Sequence, residues 1–316
     1  MAAMNTAYAL SGRGRHVLLV DMDLEAPGIS GFLERTGELD GKASGSSLDI
    51  LALLEEALVV ANNNGPATLP KASEKLPGIA TYARSVLLNK LMKPKVGMSG
   101  RLDVLGIAKD SHGRLANLGL ADLNHEKLVA LSSVLFYYFK AQRFPFRPLG
   151  VEDFEPPVET PYDYVLVDSR TGLTEIGGLC VGPLADRLVV LTGLNDQNVQ
   201  GTADFLEMVG IKPRTAETGR WDEADPGEKD SVPSLGPKPT ILVASPVPAG
   251  EMDYRRKRLD ELEKRLGIRP VTLSYHPQMA LMETVMVRDY PDEYLGREYI
   301  VLTNRLMEQV LDDGEA

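Results

Sequence analysis

The run Val17-Leu18-Leu19-Val20-Asp21-Met22-Asp23-Leu24-Glu25-Ala26-Pro27-Gly28 decides how the chain reads. Its apolar residues are continuous rather than alternating, which predicts a strand covered on both faces, as in a parallel sheet sandwiched by helices. Two acids, Asp21 and Asp23, follow at i and i+2 before a Pro27-Gly28 turn. Ligands of open α/β sheets gather at the carboxyl ends of strands, and in an extended backbone i and i+2 point to the same side. The pair can therefore hold the water shell of a metal or orient an attacking water. It also fits an aspartate that merely caps the next turn.

Working outward, Met1 to Leu10 reads as a helix ended by Ser11-Gly12-Arg13-Gly14. Similar buried-strand runs recur at Leu102 to Ile107, Tyr164 to Asp168, Arg187 to Thr192, Thr240 to Ala244 and Val271 to Tyr275. Helical spacing marks Leu48 to Asn62, Asn124 to Arg143, Val199 to Val209, Tyr254 to Leu266 and Leu295 to Leu311. The alternation predicts an α/β fold of three layers, a mostly parallel central sheet flanked by helices, in a single domain spanning residues 1–316. Two segments interrupt it: Phe144 to Pro161, and Lys212 to Pro239, which holds the only tryptophan, Trp221, and has the composition of an exposed mobile loop.

The 34 Lys and Arg against 45 Asp and Glu leave a formal charge of −11, which argues against a surface built to neutralise phosphates. A content of 43% apolar and 25% charged residues is that of an ordinary globular protein. Cys180 is the single cysteine, so no internal disulfide forms and a reducing cytoplasm is the expected compartment. No apolar run approaches the ~18 residues of a membrane-spanning helix.

A second segment, Tyr162-Asp163-Tyr164-Val165-Leu166-Val167-Asp168-Ser169-Arg170-Thr171-Gly172, is again an apolar strand ending in an acid, with a glycine four positions on. This is the layout of a Walker B strand, whose aspartate binds Mg²⁺ through a water while the glycine loop approaches a terminal phosphate.

Together the two segments resemble the ParA/MinD family of deviant Walker ATPases, in the branch with a Lys-Gly-Gly-Val-Gly-Arg loop, over most of the chain. The resemblance implies a P-loop NTPase fold, ATP and Mg²⁺ as ligands, a homodimer, and a nucleotide state reported to a protein partner. It assigns Asp23 to orient the hydrolytic water, Asp168 to the magnesium, and Asp21 to a place near it. Ser169 and Gly172 match the switch that follows, although Ser-Arg-Thr-Gly departs from the usual Pro-containing version and leaves Arg170 without a role. Asn5 matches the asparagine of the family's first helix. Counting back from Asn5, the phosphate loop falls just before Met1, and with it the first strand, which the resemblance places in mid-sheet. Its loss would leave two internal strand edges unpaired. Mg²⁺-dependent ATP hydrolysis is therefore expected of a form that carries an upstream loop, and negligible hydrolysis of this chain alone. The alternative is a non-catalytic adaptor that keeps the scaffold. A tyrosine autokinase, sharing the fold, is weaker because the C-terminal tail lacks a tyrosine cluster.

Gly37-Glu38-Leu39-Asp40-Gly41-Lys42-Ala43 does not replace the loop, having one residue too few, no hydroxyl for Mg²⁺ and no preceding strand. Ala244-Ser245-Pro246-Val247-Pro248 occupies the family's adenine-recognition position, giving Ser245 a base-binding role, but without the usual Asn or Lys-x-Asp. Ser274-Tyr275-His276-Pro277 resembles the Pro-containing loop that closes over the base, assigning Pro277. His276 taken alone reads as structural. Asn195 and Asn198 read as a turn residue and an N-cap, or as part of a loop near the nucleotide or dimer interface. Arg255-Arg256-Lys257-Arg258 continues into Asp260, Glu261 and Glu263 at helical spacing, which favours a solvated face over a nucleic-acid patch. The acidic end Leu311-Asp312-Asp313 disfavours membrane attachment by a basic tail. His16, His112 and His125 have no zinc-ligand spacing with Cys180. Phe136-Tyr137-Tyr138-Phe139 reads as core or dimer packing.

Overall fold

The computed structural model describes residues 1–40, 49–88, 100–107, 112–146, 158–169, 174–211 and 238–312. They fall into two compact units, Met1–Leu184 and Ala185–Ala316. The first contains α1 (Ala2–Ser11), β1 (His16–Asp21), α2 (Ile29–Arg35), α3 (Ile50–Asn63), α4 (Leu69–Ser73), β2 (Arg84–Ser85), β3 (Arg101–Leu105), α5 (His112–Asn117), α6 (His125–Ala141), β4 (Arg143–Phe146), β5 (Val158–Pro161), β6 (Tyr164–Asp168) and α7 (Glu175–Val181). The second contains β7 (Leu188–Thr192), α8 (Asp196–Met208), β8 (Thr240–Val247), α9 (Met252–Leu266), β9 (Val271–Ser274), α10 (Pro277–Leu281), α11 (Met286–Asp289) and α12 (Tyr294–Asp312).

In the first unit the sheet order is β2-β3-β1-β6. β1 lies in the middle, parallel to β3 with Leu18 opposite Asp103 and parallel to β6 with Asp21 opposite Asp168. Val17, Leu18, Leu19 and Val20 are all fully buried, which is what the continuous apolar run requires. α1 packs on β1, β3 and β6, and α3, α4, α6 and α7 pack on one another. Leu18, Val20, Leu51, Leu54, Leu131, Leu135 and Tyr138 join strand and helices in one core. Side chains close the helix starts: Asp49 accepts from the Leu51 and Ala52 amides at the start of α3, and Asn124 from the Lys127 amide at the start of α6.

The segment Phe144 to Pro161, expected as an interruption, contributes an antiparallel β4–β5 pair, Arg143 opposite Pro161. β2 is an antiparallel edge strand that the sequence did not announce, since Arg84–Ser85 is too short for any periodicity. Of the expected loop Lys212 to Pro239, residues 212–237 lie outside the described residues.

In the second unit β7, β8 and β9 form a parallel sheet in that order, with a bulge between Ala244 and Val247. Asn195 is the N-cap of α8, accepting from the Asn198 amide at 2.8 Å. Gly267 ends α9 at φ 65°, a left-handed turn that favours glycine. Among the described residues β6 pairs only with β1 and β7 only with β8. Every residue of β6 is half-buried, and in β7 Val189 and Leu191 are 40% and 47% exposed, so the cover on both faces expected from their apolar runs is incomplete.

Candidate functional site

The parallel register of β1 and β6 sets Asp21 beside Asp168 at the carboxyl end of the first unit's sheet. The Met22 amide donates to the Asp168 carbonyl at 2.9 Å, carrying the ladder one residue past the strand. Asp23 follows, close enough to raise the proton affinity of both Asp21 and Asp168.

They are not equivalent. Asp21 is 1% exposed, and both its oxygens are engaged: Oδ1 accepts from the Asp23 amide and Oδ2 from the Ile29 amide at the start of α2, each at 3.2 Å. Burial pushes its carboxyl up to about 6, with Asp168 and Asp23 adding to the rise and the two backbone bonds opposing it. Asp168 is likewise raised by burial first and by Asp23. Asp23 carries an oxygen, Oδ1, that is shut off from solvent and has no hydrogen-bond partner. The structure thus makes Asp21 the brace of the turn from Met22 to Gly28 and leaves the open valence on Asp23. The turn-capping bonds are on Asp21, and the unpartnered oxygen is on Asp23.

Gly106, just past β3, was not singled out by sequence. A Cβ there would sit 1.7 Å from the Ser30 Oγ and 3.8 Å from the Asp21 Cβ, so glycine lets this segment pass close to Asp21 and the start of α2. The one available signal was a glycine at the end of a buried apolar run. Cys180 was read as a small buried residue, and it is 5% exposed. It also hydrogen-bonds Ser169, next to Asp168, and burial pushes its thiol up to about 12.

Asn5 is fully buried in α1, where its Nδ2 donates to the Met1 carbonyl at 3.1 Å. Gly172 and Arg170 lie outside the described residues. Ser245 and Pro277 belong to the second unit: Ser245 is half-buried in the β8 bulge, and Pro277 opens α10. Of the basic run, Arg258 donates to the Leu194 carbonyl and pairs with Asp196 and Glu261, and Lys257 approaches Glu261 at 4.0 Å. Half of that run is therefore used within the fold, in keeping with a helix face rather than a phosphate patch.

Among the described residues no group of three or more His, Cys, Asp or Glu side chains forms a metal cage. Mg²⁺ does not need one, since it usually takes one or two carboxylates and completes its shell with waters and substrate phosphates. The orphaned Asp23 oxygen beside Asp168 fits a hydrated divalent cation or a bound water. Among the described residues no helix is long and apolar enough to cross a membrane.

Parallel strands flanked by helices, with acids at the ends of β1 and β6, make a three-layer α/β fold like that of ParA- and MinD-type proteins. The chain is similar in fold to the ATP complex of a singly substituted McdA from Cyanothece, with TM-score 0.53, 13% identity, and coverage of 96% of this chain and 91% of that one. It is also similar to the MinD cell division protein of Aquifex aeolicus, with TM-score 0.52, 15% identity and coverage of 97% and 90%. The MinC:MinD cell division protein complex of the same organism matches with TM-score 0.50, 13% identity and coverage of 97% and 90%. No family model matches the chain, and no curated protein matches it in sequence.

Proposed function

We propose that the chain is an ATP-binding switch of the ParA/MinD type, working in the cytoplasm as a homodimer that reports its nucleotide state to a protein partner. The observation that carries this reading is the trio Asp21, Asp23 and Asp168 at the carboxyl end of the β1–β6 pair, with one Asp23 oxygen buried and unpartnered. Such an arrangement costs stability and serves no evident packing purpose, which is the usual mark of a site awaiting a ligand. The neighbour bound to ATP and the neighbour joined to MinC support nucleotide and partner by likeness of fold.

Asp168 would hold Mg²⁺ through a water, and Asp23, whose free oxygen can accept a proton, would orient the attacking water. Asp21 keeps Asp23 in place through the 3.2 Å bond to its amide. When bound, the ion neutralises phosphate charge. Asn5 and Ser169 would line the phosphate side. Hydrolysis by such a site requires a phosphate loop, and the 316 residues contain no Gly-x-x-x-x-Gly-Lys-Ser/Thr sequence.

A thermal-shift measurement on the protein tests this. Mg²⁺-ATP at about 100 times its Kd stabilises by about 2.7 kcal/mol, a rise in melting temperature on the order of 5 °C for a protein of this size. Asp168→Ala is expected to abolish the magnesium-dependent part of the rise. A folded polypeptide with no shift overturns the reading in favour of a non-catalytic adaptor.

A further inference from the structure

Asp21 holds Asp23 in place, and three segments of the first unit meet where Asp21 itself is held. Its Oδ1 accepts from the Asp23 amide and its Oδ2 from the Ile29 amide, each at 3.2 Å, the long end of the range for a firm bond. Gly28, which precedes α2, offers no side chain to cap that helix, so Asp21 closes the helix start from eight residues back. The first turn of α2 and the acid turn are therefore bound to move together. Gly106, just past β3, presses on both. A Cβ there would lie 1.7 Å from the Ser30 Oγ, 3.1 Å from the Ser30 Cβ and 3.8 Å from the Asp21 Cβ. Its φ lies outside the left-handed region, so what glycine supplies here is room rather than conformational freedom.

The two sides of this contact differ in how far they can yield. Gly106 is fixed, because its carbonyl accepts from the Ile50 amide at 3.1 Å and Ile50 is fully buried at the start of α3. Its neighbour Leu105 is fully buried opposite Val20 in the β1–β3 ladder, and Ile107 is buried as well. Ser30 is half-buried in a helix of only seven residues. A side chain at position 106 is therefore accommodated on the α2 side: the Ser30 hydroxyl swings away and the backbone behind it gives by a few tenths of an ångström. Bonds that already stand at 3.2 Å are broken by such a displacement.

We propose that Gly106 and Ser30 are positioning residues of the acid site: their contact seats the start of α2 against Asp21, and through Asp21 it sets where the unpartnered Asp23 oxygen points. This rests on the reading of Asp23 and Asp168 as a divalent-cation site and adds to it the residues that aim one of the two acids. Neither residue carries chemistry of its own, and they are distant in the chain, so no sequence signal joins them.

The test reads the position and the cation separately. Amide hydrogen exchange resolved by NMR reports the two bonds to Asp21, and Mn²⁺ alone, followed by electron paramagnetic resonance, reports the site. In Gly106→Ala the Asp23 and Ile29 amides are expected to exchange about tenfold faster and Mn²⁺ to bind about tenfold more weakly, with larger changes in Gly106→Val. The α6 amides from Leu131 to Tyr138, which a general loss of stability would expose, keep their protection. Ser30→Gly removes both obstructing atoms, so Gly106→Ala combined with Ser30→Gly restores exchange and affinity. Ser30→Ala, which removes only the hydroxyl, restores part of each and serves if the first combination fails to fold. Gly78→Ala, where a Cβ meets nothing within 4 Å, changes neither. Unchanged exchange at Asp23 and Ile29 in Gly106→Val, a rise that spreads equally through α6, or no restoration by either Ser30 variant overturns the positioning role. Faster exchange with unchanged Mn²⁺ affinity overturns the link from Gly106 to the cation. An unaltered protein that binds no Mn²⁺ overturns the cation-site reading, while exchange at Asp23 and Ile29 still decides whether Gly106 seats the turn.

Discussion

The two ends of the first unit's sheet both bury carboxylates, and they treat them in opposite ways. At the amino end, Asp103 is 2% exposed and accepts from Arg101 Nε at 2.7 Å, Ser85 Oγ at 2.6 Å and the Tyr162 hydroxyl at 2.5 Å. The Arg101 guanidinium lies 4.5 Å over the Phe144 ring, which in turn packs on Tyr162 and His16. Burial and the Asp103 charge push the Tyr162 phenol up, keeping it a donor. At the carboxyl end, Asp21, Asp23 and Asp168 lie together, two of them raised by burial and one with an orphaned oxygen. A carboxylate whose partners all come from the fold is part of the scaffold. A group whose partners are missing from the fold is where a ligand belongs.

The comparison breaks most visibly at the satisfied end. Asp103→Ala leaves Arg101, Ser85 and Tyr162 without their acceptor and is expected to cost about 4 kcal/mol, at the level of breaking a buried ion pair. Urea unfolding followed by circular dichroism measures it. A loss below about 1 kcal/mol would mean that water reaches these groups as readily as at the other end.

The unsatisfied end predicts a dependence of stability on pH. Asp21 ionises near 3.8 when unfolded and at about 6 in the fold. The unfolded chain therefore releases its proton first, so the stability contributed by this group is full below about 4 and falls as pH rises to about 6, by an amount on the order of 3 kcal/mol. Unfolding free energies between pH 4 and 7, without divalent cations, should fall along this window in the unaltered protein, and Asp21→Asn should flatten the fall. Parallel curves for the two proteins would show that Asp21 is not strained.

The smallest effect sharpens the picture beside Asp168. Cys180 is buried and its thiol is pushed up to about 12, so a disulfide reagent at pH 8 should leave it unlabelled in the folded state and modify it fully in denaturant. Rapid labelling of folded protein would place the Ser169–Cys180 pair in contact with solvent.

Much of this was legible in advance. The strands ending in Asp21 and Asp168, and the helices now bounded as Ile50–Asn63, His125–Ala141, Met252–Leu266 and Tyr294–Asp312, came within two residues or so of their expected limits, because continuous apolar runs and helical spacing are local signals. The N-cap of α8 was read at Asn198, three residues late: Asn195 fills it, accepting from the Asn198 amide. The β4–β5 pair was not legible, since a Pro-rich stretch with no alternation pairs only through the register its partner imposes.

By itself the sequence determined that this is an α/β protein, which strands end in acids, and that Asp21, Asp23 and Asp168 are the acids to watch. Only the tertiary structure decided how those acids divide their work: register set Asp21 beside Asp168, the turn to Ile29 occupied both oxygens of Asp21, and Asp23 was left with the free one. The reason is that residue type and spacing fix what a side chain can bond, whereas its partners come from segments distant in the chain. Satisfaction of a buried polar atom is a property of the packed assembly, and no window of sequence contains it.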